Sequence, residues 1–298
     1  MEILRSPACG GLPQNDMTLC FRAMDTKTVE SLKSWFDEYV TGFKSGDPAY
    51  DQSIVLKEEH TRRVCDEIMY IGKGLGLPEN DLRLAQAIAL LHDMGRFEQY
   101  ARYRTFNDRQ SVNHAELGVQ ILRERRVLES VEERELILRA VEYHNRAALP
   151  QDETERCLLF SRMVRDADKL DIWRVFLDYY AQKGGKADPT VVHFLPDTPG
   201  FSDNICKGLL NRRSVNYTEV KNLNDFKLLQ IGWVYDLNFA PSFRRLRERK
   251  IVEKYCEFLP ESKEIDAVFT VVRSYLKKKD REMRDVSVGD VYRVIVPH

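Results

Sequence analysis

The sequence predicts an all-α protein, a helical bundle with additional helices in its C-terminal part. Apolar residues recur at three- and four-residue steps along most of the chain, the spacing of one helix face. Clusters of Gly, Pro, Asp and Asn interrupt these runs at helix length. Strand composition is confined to one stretch, VSVGDVYRVIV (286–296), which reads as a short strand.

Taken in order, residues 1–24 carry two Gly, two Pro and no periodicity, and are expected to form a flexible arm. From Asp25 to Phe43, Leu32, Trp35, Phe36, Tyr39 and Val40 make an amphipathic helix, opened by Asp25 or Thr26 as cap. GDPAYD (46–51) reads as a turn. A long helix over about 53–74 follows, with Leu56, His60, Val64 and Ile68 at successive four-residue steps. Gly74, Gly76 and Pro78 end it, and Asp81 is placed to cap the next helix. That helix, LAQAIALLHDMGR (84–96), is apolar until its last turn delivers His92 and Asp93, and Gly95 then lets the backbone turn away. FEQYARYRTFNDR (97–109), aromatic and basic, is expected to cross the mouth of a site. A helix starting near Asp108 carries His114 on one face with Leu117, Gly118 and Ile121. Another, from Val131, stacks Leu136, Ala140 and His144. Thr154 to Tyr180 forms a long helix with Asp168 on the face of Val164, Ile172 and Val175, closed by KGGKADP (183–189). Shorter helices are expected at about 204–211, 225–239, 241–257 and 262–278.

Composition narrows the function classes. At 298 residues, 43% hydrophobic and 31% charged, the chain can bury a sizeable core. A net charge of -1 offers no basic excess for nucleic acid or an anionic membrane. The 6 Cys form no Cys-x-x-Cys pair, which leaves zinc ribbons and thioredoxin-like chemistry unsupported. Cys65 and Cys157 read as small core residues. No apolar run approaches the roughly 18 residues of a membrane span. The first residues lack the pattern of a signal peptide, so a cytoplasmic location is expected.

Four His (His60, His92, His114, His144) fall on the apolar faces of four different expected helices, and Asp93 and Asp168 join them. A buried carboxylate without a cation costs several kcal/mol or must be protonated. A divalent metal removes that penalty for the whole group, and six such side chains suffice for two ions with Asp93 between them.

His60, then His92-Asp93, then Asp168 within RDADKLD resembles the H…HD…D signature of the HD-domain metal-dependent phosphohydrolases, over roughly residues 52–182. The resemblance implies an HD-domain-like bundle in which His60, His92, Asp93 and Asp168 bind the first metal. HDMGR is similar to the HD-x-G-K of the HD-GYP phosphodiesterases, which puts Arg96 where their Lys meets phosphate. HAELGVQIL (114–122) is similar to their third-histidine helix, which implies that His114 and His144 serve a second metal. The family's paired His is here His144-Asn145, and no GYP follows, so hydrolysis of cyclic di-GMP is not expected. In domain terms, residues 25–298 are expected to form one helical domain, with the metal core at about 52–182 and an extension over 190–298.

Two divalent ions can share a water, lower its pKa towards neutrality and clamp phosphoryl oxygens. Imidazole and carboxylate ligands suit Mn, Fe, Co, Ni or Zn. The expectation is therefore a hydrolase of a small phosphomonoester or phosphodiester, nucleotide-like, using Asp93 and Arg96 in catalysis. Arg96 has an alternative role as a helix-end side chain. Asp166 and Asp171 are candidates to orient ligand imidazoles. Two other readings stay open: a mixed-valent di-iron oxygenase resembling myo-inositol oxygenase, and a metal-stabilised ligand-binding domain without turnover. Oligomeric state has no signal in the sequence.

Overall fold

The computed structural model of the chain describes residues 24–181, 192 and 195–284. Helix α1 (Thr26–Thr41) is capped by Asp25, whose carboxylate accepts from Thr28 N at 2.7 Å. Asp47 caps α2 (Pro48–Gly74), and Pro48 opens the helix where a missing N–H costs nothing. The turn expected over 46–51 thus shrinks to its first residues, and α2 begins about a turn earlier than its apolar stripe suggests. Helix α3 (Glu79–Leu91) is exposed at its first two residues and buried all round over its last five, with Leu84, Ala85, Ala87, Ile88, Ala89 and Leu91 fully inaccessible. A helix apolar all round belongs in the middle of a bundle. Pro78 stands at its N-cap position and no side chain caps it; Asp81 lies inside the helix, where it accepts from Arg156 at 2.7 Å.

After α3 the chain bends at His92-Asp93 into α4 (Met94–Tyr103). Gly95 lies within α4, and its role is close approach. A Cβ there would stand 2.0 Å from the carbonyl oxygen of His114 and 2.7 Å from Gly118 N. The absence of that atom lets α4 lie against α5 (His114–Glu124), which Asn113 caps. Helix α5 therefore starts six residues beyond Asp108, which falls in a short 3-10 turn, Asp108–Gln110. Helix α6 (Arg134–Tyr143) ends at His144, and α7 (Glu155–Ala181) crosses the bundle against α2, α3 and α6.

The later helices are α8 (Asp203–Leu210), α9 (Leu223–Gly232), α10 (Ala240–Glu248), α11 (Ile251–Glu257) and α12 (Lys263–Arg284). The helix expected over 241–257 is two, divided at Lys250, which has φ of 52°. Buried Glu67 on α2 binds Arg245 and Arg249, and buried Asp166 on α7 accepts from the backbone N–H groups of Asn238 and Phe239. These contacts fasten α10 and the segment before it to the bundle. Buried apolar residues from Met24 to Leu276 form one contiguous cluster that includes Cys65; Cys157 is buried as well, and both are free thiols. The described residues form no strand. The arm, the 183–189 turn and the 286–296 strand expectation lie outside them, apart from Met24, which is buried.

Candidate metal centre

Four helix ends and two helix interiors converge on one point. His92 closes α3, Asp93 precedes α4, His114 opens α5 and His144 ends α6, while His60 and Asp168 project from the middles of α2 and α7. Helix ends suit this purpose because adjacent residues there can face one centre. All six are inward, and only Asp168 keeps appreciable side-chain exposure, 17%.

The two oxygens of Asp93 face two halves of the cluster. Oδ2 lies 3.5 Å from His60 Nε2 and 3.8 Å from His92 Nε2, and each of these nitrogens is 3.1 or 3.7 Å from Asp168 Oδ1. Oδ1 lies 3.3 Å from His114 Nε2 and 3.7 Å from His144 Nε2. Ligand atoms about 2.1 Å from one ion stand roughly 3.0 Å apart at right angles and about 3.4 Å apart in a tetrahedron. The observed spacings fall around these values. Two ligand triads meet the distance requirement of a single ion, His60–His92–Asp168 and His92–Asp93–His144.

Hydrogen bonding fixes the imidazoles. His92 Nδ1 faces Ala89 O at 2.7 Å and His144 Nδ1 faces Val141 O at 2.6 Å. A carbonyl only accepts, so both nitrogens carry the proton and both Nε2 lone pairs point to the centre. His60 Nδ1 faces Asp171 at 2.7 Å and His114 Nδ1 faces Asp108 at 2.7 Å, which favours the same tautomer. The Nε2 atoms of His60 and His92 are buried without a hydrogen-bond partner. His114 Nε2 and His144 Nε2 confront each other at 2.9 Å. Lone pairs so close to one another and to two carboxylates repel unless a proton or a cation stands among them, so the residues fit a metal.

Electrostatics agree. Burial resists ionisation of Asp93, but Lys57 (Nζ at 2.9 Å from Oδ2) and the His92 imidazole hold its carboxyl well below the usual range. Burial likewise resists ionisation of Asp168, and His60 and His92 overcome it. Burial, reinforced by the Arg96 guanidinium, pushes His114 down to about 4 despite Asp108. His60 moves the other way: burial and Lys57 oppose its proton, but Asp168 and Asp171 prevail.

Arg96 is 15% exposed and heavily engaged. Its Nη1 donates to Asp108 (2.8 Å), Phe106 O (2.6 Å) and Gln99 Oε1 (2.8 Å), while buried Nε lies 3.6 Å from Asp93 Oδ1 without a hydrogen bond. It reaches into the centre, yet it also anchors the loop that follows α4. Of the two carboxylates expected to orient ligand imidazoles, Asp171 binds His60, whereas Asp166 turns away to Asn238 and Phe239. Sequence reasoning missed Asp108, which joins His114, Arg96, Gln99 and Asn145. It also missed Lys57, whose position one turn before His60 was the available signal.

A cavity of about 360 Å³ adjoins the centre. Lys57, His60 and Arg96 line it on the side of the cluster, and Phe106 is the part of the 97–109 stretch that reaches it. No helix among the described residues is long and apolar enough to cross a membrane. Residues 58–173 match the family model for the HD domain, a span that contains all six side chains. No curated protein and no solved structure matches the chain.

Proposed function

We propose that this chain, a member of the HD-domain superfamily of metal-dependent hydrolases, hydrolyses a phosphate ester with two divalent ions held at the converging helix ends. His60, His92, Asp168 and Asp93 Oδ2 would hold one ion; Asp93 Oδ1, His114 and His144 the other. The observation that carries the reading is the set of four imidazoles whose Nδ1 atoms are all turned to acceptors, leaving four Nε2 atoms around the carboxylate of Asp93. The borderline nitrogen and oxygen donors admit Mn, Fe, Co, Ni or Zn.

Bound there, such ions supply a water acidified towards neutrality and a clamp for phosphoryl oxygens. The chain's own residues do the rest. Asp93, kept ionised, joins the two halves of the site. Asp171 and Asp108 hold the rings of His60 and His114 in their orientation. Lys57 and Arg96 bring two cations to the cavity side, where a phosphoryl group is matched by a charge and by a planar fork. In this reading residues 25–298 work as one helical domain, the helices after 190 walling the cavity that the 52–182 core opens.

The test is release of a phenol from an aryl phosphate by chelator-treated chain before and after Mn²⁺ is restored. Hydrolysis that returns with the metal supports the reading, and an anaerobically iron-loaded chain that instead consumes oxygen overturns it.

A further inference from the structure

Among the described residues, the cavity beside the cluster carries its charged side chains at the cluster end. Lys57, His60 and Arg96 form that end; the other ten lining residues are aliphatic or aromatic, among them Val175 and Phe176 from α7 and Phe226, Leu229 and Trp233 from α9 and its end. Among the described residues that line it there is no amide, carboxylate, serine or threonine, and beyond the charged end the polar groups are the Tyr217 hydroxyl and the Trp233 indole N–H. A site that reads a nucleobase or a sugar needs such groups, because base edges and sugar hydroxyls lose their water hydrogen bonds on entry. An apolar group loses none and gains in proportion to the area it buries.

The wall is built from two parts of the chain. Tyr217 packs edge-on against Phe226, with ring centroids 6.0 Å apart, and Arg109 from the 3-10 turn after α4 lies over the Tyr217 ring at 5.3 Å. The contact joins the metal-bearing part of the chain to its C-terminal helices beside the cavity. At about 30 Å³ per water-sized group, 360 Å³ takes roughly a dozen heavy atoms, the size of a bicyclic or branched hydrocarbon.

We infer that the substrate is a phosphomonoester of an apolar alcohol, aromatic or branched, whose hydrocarbon part fills this cavity while its phosphate meets Lys57, Arg96 and the metal centre. This rests on the hydrolase reading and replaces its nucleotide-like substrate by an apolar one. The step consumes one water: its oxygen bonds to phosphorus, the ester P–O bond breaks, and the alcohol departs with a proton from that water, leaving inorganic phosphate.

The test pairs turnover with binding. Wild type and Val175→Asp, a half-buried wall position on α7, are assayed with 1-naphthyl phosphate, phenyl phosphate, glycerol 2-phosphate and adenosine 5′-monophosphate. In parallel, 1-naphthylmethylphosphonate and methylphosphonate, which cannot be hydrolysed, are titrated calorimetrically. We expect kcat/KM to favour naphthyl over phenyl by about 10- to 100-fold, the return on burying a few more ring carbons, and Val175→Asp to erase that preference. Val215→Trp, which fills the cavity from a loop, serves if Val175→Asp does not fold, and should weaken naphthyl more than phenyl. Metal-dependent hydrolysis with no naphthyl preference, or with adenosine monophosphate preferred, overturns the inference and leaves the hydrolase intact. If no ester turns over but naphthylmethylphosphonate still binds at least tenfold tighter than methylphosphonate, sensitively to Val175→Asp, the apolar site stands and the hydrolase reading falls. Equal binding of the two phosphonates overturns the apolar site.

Discussion

The Nε2 atoms of His114 and His144 lie 2.9 Å apart while the Nδ1 of each ring faces an acceptor of its own. Such a pair needs a proton or a metal ion between its members, and a proton is hard to place on His114, whose pKa burial and Arg96 push down to about 4. An unfolded His titrates near 6.5, so between pH 6.5 and 4 the unfolded chain binds more protons here than the folded one. Stability from this group is full above about 6.5 and falls as pH drops through the window. His60, shifted upward, acts oppositely, its contribution fading only as pH rises above about 6.5. Urea unfolding of chelator-treated chain should show a loss of roughly 2–3 kcal/mol from pH 6.5 to 4.5, since each tenfold difference in proton affinity between the folded and unfolded chain is worth about 1.4 kcal/mol. His114→Gln should flatten that loss; an equally steep profile in the variant would mean the proton is taken up elsewhere.

Asp171 touches His60 without facing the centre, so its effect should be on affinity. Replacing it with Asn removes the charge that fixes the His60 ring and takes the ion-pair partner of Arg63 Nε, 2.7 Å from its other oxygen, leaving Arg63 its contact with Glu59. Metal affinity should fall about 10- to 100-fold, read by competition with a coloured chelator. Asp166→Asn, which alters a carboxylate bound to Asn238 and Phe239, should leave that affinity within a few-fold of wild type.

Arg96 combines two roles that substitution can separate. A charge-assisted bond to substrate phosphate contributes about 1.5–3 kcal/mol, or roughly one to two powers of ten in kcat/KM. Arg96→Lys keeps the charge and loses the fork, and should lie between wild type and Arg96→Ala. Metal content should stay constant in both. The bonds from Arg96 to Asp108 and Phe106 O predict in addition a lowered Tm in Arg96→Ala. A variant with reduced Tm but wild-type kcat/KM would assign Arg96 to anchoring alone.

Two glycines on helices should respond in opposite ways to alanine. At Gly95 the new Cβ would meet backbone atoms of α5 at 2.0 and 2.7 Å, so α4 and α5 must part. The cost should reach or pass the top of the roughly 1–3 kcal/mol range for overpacking, with metal lost first from the His114 side. At Gly208, within α8, the nearest atom is a Val215 side-chain carbon at 3.8 Å, an ordinary contact. Gly208→Ala should stabilise by about 0.5–1 kcal/mol. Thermal denaturation of both variants decides, and a tolerated Gly95→Ala would contradict the close approach.

Much of the centre was legible because its residues sit where helix patterns end or where a polar side chain interrupts an apolar stripe. His60 between Leu56 and Val64, and His92-Asp93 after the apolar run 87–91, are of this kind. The purpose of Gly95 was not, since nothing local tells that α5 passes within contact of it. Asp108 belongs to a short turn whose neighbours in space, His114 and Asn145, are set by how α4, α5 and α6 pack. The cavity wall was least visible: Val215, Phe226 and Trp233 look like ordinary apolar residues until α9 is seen beside α7 and Phe106. Local periodicity gives faces, and only packing says which faces meet.

The central claim is that Asp93 stands between two metal positions. Elemental analysis of chain loaded with excess Mn²⁺ and then freed of unbound ion tests it most directly. Wild type should carry about two ions per chain, His144→Ala about one, and Asp93→Ala close to none, because Oδ2 of that carboxylate faces His60 and His92 while Oδ1 faces His114 and His144. Two ions retained in His144→Ala, or one firmly held ion in Asp93→Ala, would contradict it.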